Sequence, residues 1–212
     1  RTMDLKFKRA RSKENKEKRF SDIIDVSAEL YDKLHYSGLT FEEISKKLNI
    51  TRPAIYKYFR TKDEILVEIL LRDLDNLCND LADSFDSSKK YAKEEIAAIW
   101  TDVMMKNKRI MDVMSLHSSS IEKKISAEYN SGPESVIKGY IQTLKELIKG
   151  LVPGIDDDTA KDFILYQISF AVGLYPFMKI KMNDSDPNKE LFRFNRIYGE
   201  NILIKLKSME GR

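Results

Sequence analysis

Residues 39–66, LTFEEISKKLNITRPAIYKYFRTKDEIL, leave the chain little freedom in its local structure. Thr40 precedes FEEI with Glu43 three residues on, the spacing of a capping box, so a helix is expected to start at Phe41. Ile44 and Leu48, four apart, mark its inner face, and Asn49, which tolerates left-handed backbone, stops it. Thr51 is expected to cap a second helix, whose first turn holds Pro53 where no backbone N–H is needed. Ile55 and Phe59 recur at a spacing of four and point inward, which leaves Arg52, Ala54, Tyr56, Lys57 and Tyr58 for the other faces. Thr61 and Glu64 repeat the capping box, with Lys62 beside the start of another helix. Two short helices about a tight turn, the second polar on its outer side, make a helix-turn-helix with its reading helix second.

The remaining segments repeat apolar residues at helical spacing and almost none alternates like a strand, so the fold class expected is all-α. A basic arm over about 5–15, carrying Lys6, Lys8, Arg9, Arg11 and Lys13, runs into a first helix that ends near Leu34 and is followed by Gly38. A fourth helix, Lys62 to about Phe85, is too long for a small N-terminal domain alone and reads as a strut. Helices follow near Ala92–Lys106 and Arg109–Leu116, then over 120–150 with an interruption expected around Gly132-Pro133. The last two run from Asp156 to about Ile180 and from Pro187 to about Ser208. The first of that pair is apolar nearly all round, so it needs cover on several sides, and a second copy of the chain is the natural cover.

Charge follows the same division. Residues 1–62 hold 16 Lys and Arg against 9 Asp and Glu, whereas residues 63–212 hold 21 against 25. A basic end on a mildly acidic remainder is the pattern expected when one end meets phosphates.

With GLT before the second helix, AIYKYFRTKDEI running from the third into the fourth, and Lys62 at the start of the fourth, residues 16–66 resemble the DNA-binding domain of the TetR family of transcriptional regulators. The resemblance implies a three-helix DNA-binding domain over 1–61, linked by helix four to a larger effector-binding and dimerisation domain over 62–212. It also implies a homodimer placing two reading helices in successive major grooves of a pseudo-palindromic operator in double-stranded DNA. Arg52 suits the O6/N7 edge of guanine, Tyr56 and Lys57 occupy the outward face beside Pro53 and Ala54, and Tyr58 reaches phosphate. Thr40, Thr51 and Lys62 stand at helix starts, where hydroxyls and a cation hold phosphates. The arm either follows the DNA backbone or minor groove, or stays a solvated tail.

For the larger part the family implies a small-molecule effector, and Trp100, Met104, Met111, Met114, His117, Tyr140, Phe163, Tyr166 and Phe170 are the residues expected to surround it. Few charged residues share those faces, which favours an apolar or aromatic ligand and a repressor that it releases from the operator. Other readings are a family-like DNA-binding dimer without an effector, and a helical protein that no longer reads DNA. The presence of Arg52, Lys57 and Lys62 counts against the latter.

Enzyme, metal and cofactor chemistry are not expected. Asp156, Asp157 and Asp158 are adjacent and read as a helix start, not a cation site. Two histidines and one cysteine leave most metal constellations unavailable, and no nucleophile elbow or phosphate-binding glycine loop occurs. The longest uncharged stretch, Phe163–Met178, is sixteen residues with Gln167, Ser169, Gly173 and Pro176 inside it, short of a membrane span. With lone Cys78 unable to pair within the chain and no leader-like start, the cytoplasm is the expected compartment.

Overall fold

The computed structural model describes residues 2–116, 127–184 and 186–209. Among these the regular structure is helical throughout: α1 (Thr2–Gly38), α2 (Phe41–Leu48), α3 (Arg52–Tyr56), α4 (Lys62–Ser84), α5 (Lys93–Lys106), α6 (Arg109–Leu116), α7 (Ala127–Leu151), α8 (Asp157–Asp184) and α9 (Pro187–Ser208). The chain divides into two compact units, Arg1–Ile69 and Leu70–Arg212, and α4 begins in the first and ends in the second.

In the first unit α1 is longer than its buried stripe alone implies, because the basic arm is itself helical. No glycine or proline precedes Gly38, and Lys, Arg and Glu are good helix formers, so nothing stops a helix set by the buried part of α1 from propagating outward. The helix breaks at His35, whose φ of 55° and ψ of −167° lie outside helical space. Gly38 follows, where a β-carbon would lie 2.5 Å from Leu34 Cβ, too close for any other residue without a shift of the backbone. Tyr31, Ile23, Leu39, Ile44, Ile55, Phe59 and Ile65 are almost wholly buried and form the core, and the rings of Phe20 and Phe59 stack at 5.1 Å.

The caps explain why the elements end where they do. Thr40 Oγ1 accepts the Glu43 N–H at 3.2 Å, and Thr61 Oγ1 accepts that of Glu64 at 3.2 Å. Asn49 adopts φ 51° and ψ 47°, and the Ile50 N–H closes back on Ser45 O at 3.0 Å, so α2 ends in a left-handed cap. Thr51 departs from expectation: it holds the N-cap position with extended backbone, but its hydroxyl makes no capping bond. The reason lies in its successors. Pro53 has no N–H to give, and the Ala54 N–H is taken by the Thr51 carbonyl at 2.9 Å.

In the second unit α8 packs against α6, α7 and α9, and α5 packs against α9. An aromatic seam joins them. Trp100 of α5 meets Phe163 of α8 edge-on at 5.6 Å, while Tyr175 of α8 meets Phe194 of α9 at 5.7 Å, and Phe194 stacks on Tyr198 at 5.5 Å. Ion pairs fix the register. Arg109 of α6 donates through Nε and one terminal nitrogen to both Asp73 oxygens of α4, each at 2.7 Å, and Lys179 of α8 reaches Asp112 of α6 at 2.8 Å. At the start of α8, Asp156 accepts the Thr159 N–H at 2.7 Å. Asp157 pairs with Lys145 at 2.6 Å and with Lys149, two partners from α7 that hold its carboxyl down at about 2.

α7 runs unbroken through Gly132-Pro133, contrary to the interruption that this pair of residues predicts. A proline costs a helix one N–H bond and a clash, about 3 kcal/mol, and the buried positions Leu144 and Ile148 further along the same helix help offset it. Among the described residues no helix is long and apolar enough to cross a membrane.

Candidate nucleic-acid interface and apolar cleft

The first unit turns one face of its helix-turn-helix to solvent. Ile55 and Phe59 are completely buried, which fixes the rotation of α3, and the opposite positions Thr51, Arg52, Pro53, Tyr56 and Lys57 are exposed. Ala54 and Tyr58 are half-buried at the margin. Tyr56 shows 56% of its surface to solvent while its ring edge rests on Phe41 at 4.8 Å, so the phenol is aimed outward from a supported ring. Thr40 is exposed beside this face with its hydroxyl engaged as a cap. Regular helix in α3 covers only Arg52–Tyr56, and the chain then turns, with the Tyr58 and Phe59 N–H groups both on Ile55 O at 2.8 and 3.1 Å.

Lys62 is set by its own network. Its ammonium donates to the Tyr36 carbonyl at 2.8 Å and lies 3.8 Å from the centre of the Tyr36 ring, while the Tyr36 phenol donates to buried Asp63 at 2.9 Å. This ties the end of α1 to the start of α4. Burial, and then the hydrogen bond to Asp63, push the Tyr36 phenol up to about 12. A phenol raised in the folded state stabilises it fully below the unfolded value near 10, and that contribution is lost as pH rises through about 12. Tyr36→Phe is therefore expected to cost about 1–2 kcal/mol near neutral pH by stripping a donor from Asp63, and to remove the alkaline loss; urea melts of both proteins near neutral pH and between pH 10 and 12 check it.

The second unit holds a half-open cleft of about 530 Å³ lined from α4, α6, α7 and α8. Ile137, Tyr140, Ile141 and Leu144 stand on its α7 wall, Leu165, Ile168, Ser169 and Val172 on its α8 wall, and Leu70, Leu74 and Met114 line it from α4 and α6. Among the described residues no charged one is in that lining, and the Ser169 hydroxyl and Tyr140 phenol supply its polar groups. Of the nine residues expected to surround a ligand, the structure brings Met114 and Tyr140 to the cleft. Trp100, Met104, Met111 and Phe163 are buried core. Tyr166 and Phe170 lie on the side of α8 that meets α9, where Tyr166 accepts from Asn201 at 3.3 Å and Phe170 stacks on Tyr198 at 6.3 Å. His117 lies outside the described residues. The aliphatic residues that sequence reasoning passed over carry a legible signal, since both walls follow the i, i+3, i+4, i+7 spacing of one helix face.

Comparison with known proteins decides what this pairing of elements is. The model of bacterial regulatory proteins of the tetR family matches residues 23–69, and the tetracyclin repressor-like C-terminal domain matches residues 71–184. The chain belongs to the TetR family. The N-terminal match contains the helix-turn-helix, and the C-terminal match contains every residue of the cleft except Leu70. Among curated relatives, an uncharacterized HTH-type transcriptional regulator of Bacillus subtilis, YobS, is 29% identical over 86 residues, 40% of this chain and 45% of its own length. The chain thus spans less than half of that relative. Among solved structures, a single-residue variant of TetR from Acinetobacter baumannii in complex with minocycline shares the fold with a TM-score of 0.62 at 13% identity over 90% of this chain and 97% of that one. FadR from Bacillus subtilis in complex with stearoyl-CoA gives 0.54 at 18% identity over 87% and 97%.

Proposed function

We propose that this TetR-family regulator is a homodimeric repressor that reads a pseudo-palindromic operator with α3 and leaves it when an uncharged, largely apolar effector fills the cleft. The observation that carries the reading is the polarity of α3: completely buried Ile55 and Phe59 on one side, exposed Arg52, Tyr56 and Lys57 on the other. Arg52 offers a planar fork for a guanine edge, Tyr56 and Lys57 extend the contact, and Pro53 and Ala54 give the close, shallow surface a groove floor needs. Tyr58, Thr40, Thr51 and Lys62 flank this face and suit phosphates, Thr51 with a hydroxyl its own helix does not use.

Dimerisation through α8 and α9 is supported by what those helices leave uncovered. Phe177 of α8 and Phe192 and Ile204 of α9 are 69%, 72% and 68% exposed. Large apolar side chains this open on two adjoining helices are the residues a four-helix interface would cover.

The route from cleft to DNA is α4, because Leu70 and Leu74 line the cleft on the helix that starts at Lys62, just after the helix-turn-helix. Two neighbours of the same fold were solved with minocycline and with stearoyl-CoA, which supports a small-molecule role for this unit. The test uses a neutral naphthylamine dye as probe and a duplex that the protein selects from random DNA. The dye is expected to fluoresce on binding and to weaken the DNA complex about 5–150-fold, a coupling of about 1–3 kcal/mol. Val172→Trp, which fills the cleft, should abolish the dye signal while DNA binding persists. A dye that binds the variant equally well would contradict the site, and one that binds without loosening DNA would contradict the coupling.

A further inference from the structure

Most buried polar side chains of the described residues are engaged with a neighbour. Ser27, Ser45 and Thr101 give their hydroxyls to carbonyls of their own helices at 2.6, 2.8 and 2.7 Å. Asp63 accepts from Tyr36, Glu64 from the Arg60 N–H, and Asp73 from Arg109. Gln167 of α8 is different. It is 1% exposed, yet neither its amide oxygen nor its amide nitrogen has a hydrogen-bond partner among the described residues. The phenol oxygen of Tyr198 on α9, a wholly buried residue, is in the same condition. Such groups give up water on folding and need something in exchange.

The two groups converge. Phe163, Gln167 and Phe170 follow at steps of four and three, so they share one face of α8. One turn before Gln167, Phe163 meets the Trp100 ring of α5 edge-on at 5.6 Å; one turn after it, Phe170 stacks on Tyr198 at 6.3 Å. Trp100 also reaches the Tyr198 phenol. The Gln167 amide therefore projects among aromatic groups of α5, α8 and α9, toward the place where the Tyr198 oxygen is held. Stacking on both Phe170 and Phe194 fixes the direction of that phenol. Burial pushes it well above the ordinary tyrosine range, so it stays a neutral group at every working pH. The cleft residues Leu165, Ile168, Ser169 and Val172 occupy another face of α8, so Gln167 belongs to a different place in the fold.

The chemistry of a fitting occupant follows. An amide offers two donors and an acceptor oxygen, and a phenol offers a donor and an acceptor. Gln167, Tyr198, Trp100, Phe163 and Phe170 are all uncharged, so an ion would find no counter-charge among them.

We propose that Gln167 and Tyr198 hold one small neutral molecule that both donates and accepts hydrogen bonds, in an internal site between α5, α8 and α9 separate from the effector cleft. Water has this chemistry, and buried water characteristically answers two to four polar groups that lack other partners. A small alcohol or primary amide taken up from the cell has it as well. Either occupant links α8 to α9 through groups that the two helices leave unmet.

The experiment compares the unaltered full chain with Gln167→Met, Tyr198→Phe and the double variant in urea melts followed by circular dichroism. Both changes keep the shape of the side chain and remove hydrogen-bonding capacity. With an occupant in place, each single change strips it of a partner and leaves the other group short. The unfolding equilibrium constant is then expected to rise about 5- to 30-fold in each single variant. The double variant, with nothing left unmet, should fall short of the product of the two by at least about 3-fold. Groups that face only their aromatic neighbours would give the opposite sign, because each change then removes an unmet polar group and stabilises the fold. Stabilisation by either single change overturns the proposal, as do two losses that simply multiply. Melts of protein as purified, and of protein refolded from urea after dialysis, identify the source. Coupling that survives refolding assigns water. Coupling confined to protein as purified, with an alcohol or amide recovered from the denatured sample by mass spectrometry, assigns a retained organic molecule. The same loss of coupling with nothing recovered overturns the site.

Discussion

Replacing Tyr56 and Lys57 together by alanine is expected to weaken operator binding by about 2–4 kcal/mol, some 30- to 1,000-fold, and to erase the preference for the selected sequence over a scrambled one. Both residues stand on the solvent side of α3, opposite buried Ile55 and Phe59, so the change deletes contacts to DNA and little else. The folding cost is confined to the edge contact between Tyr56 and Phe41, about 0.5–1.5 kcal/mol for such a pair. Fluorescence anisotropy at fixed salt, with a thermal melt of the same sample, separates the two effects. Losing a phosphate contact lowers affinity for every duplex in step, while removing Tyr56 and Lys57 should lower it for the operator selectively. A double variant that still prefers the operator by the original factor would place the reading face elsewhere.

Phe163→Ala is expected to destabilise the second unit by about 3–5 kcal/mol, the largest stability effect anticipated for a single change here. Phe163 is completely buried on α8 with its ring edge-on to Trp100, and truncation leaves a cavity lined by that seam. Trp100 is the lone tryptophan, so its emission in a urea titration reports this unit directly. Leu165→Ala, two residues away but 40% exposed on the cleft wall, should cost less than about 1 kcal/mol and act on dye binding instead. The pair separates packing from ligand contact on one helix. If the costs were reversed, the assignment of faces on α8 would be wrong.

That division between faces also marks the limit of what the sequence discloses. The helix-turn-helix is legible almost residue by residue because its signals are local: Thr40 and Thr61 cap helices, Asn49 ends one, and Ile55 and Phe59 fix the inner side of α3 through contacts close in sequence. Thr51 shows where local rules overreach, since a proline two residues on and a backbone bond remove the donors its hydroxyl needs. The all-helical character of the second unit is equally plain from periodicity. Which face of α8 meets which neighbour is not, because that helix is apolar nearly all round and its contacts with α6, α7 and α9 are set by tertiary packing. Choosing bulky aromatics and methionines therefore finds the core more often than the cleft, and the aliphatic rows of α7 and α8 become visible only once the helices are placed. The helical arm of α1 escapes sequence reading for another reason: its length depends on propagation from a buried segment, which local composition does not report.

Whether this chain reads DNA as a two-fold dimer is decided by selection from a random-sequence duplex pool at fixed salt, followed by sequencing of the bound fraction. The expected result is enrichment of a pseudo-palindrome whose half-sites are one helical turn apart, about 34–36 Å between centres, or a multiple of that spacing. A pool that emerges unenriched, with binding governed by salt alone, would contradict it.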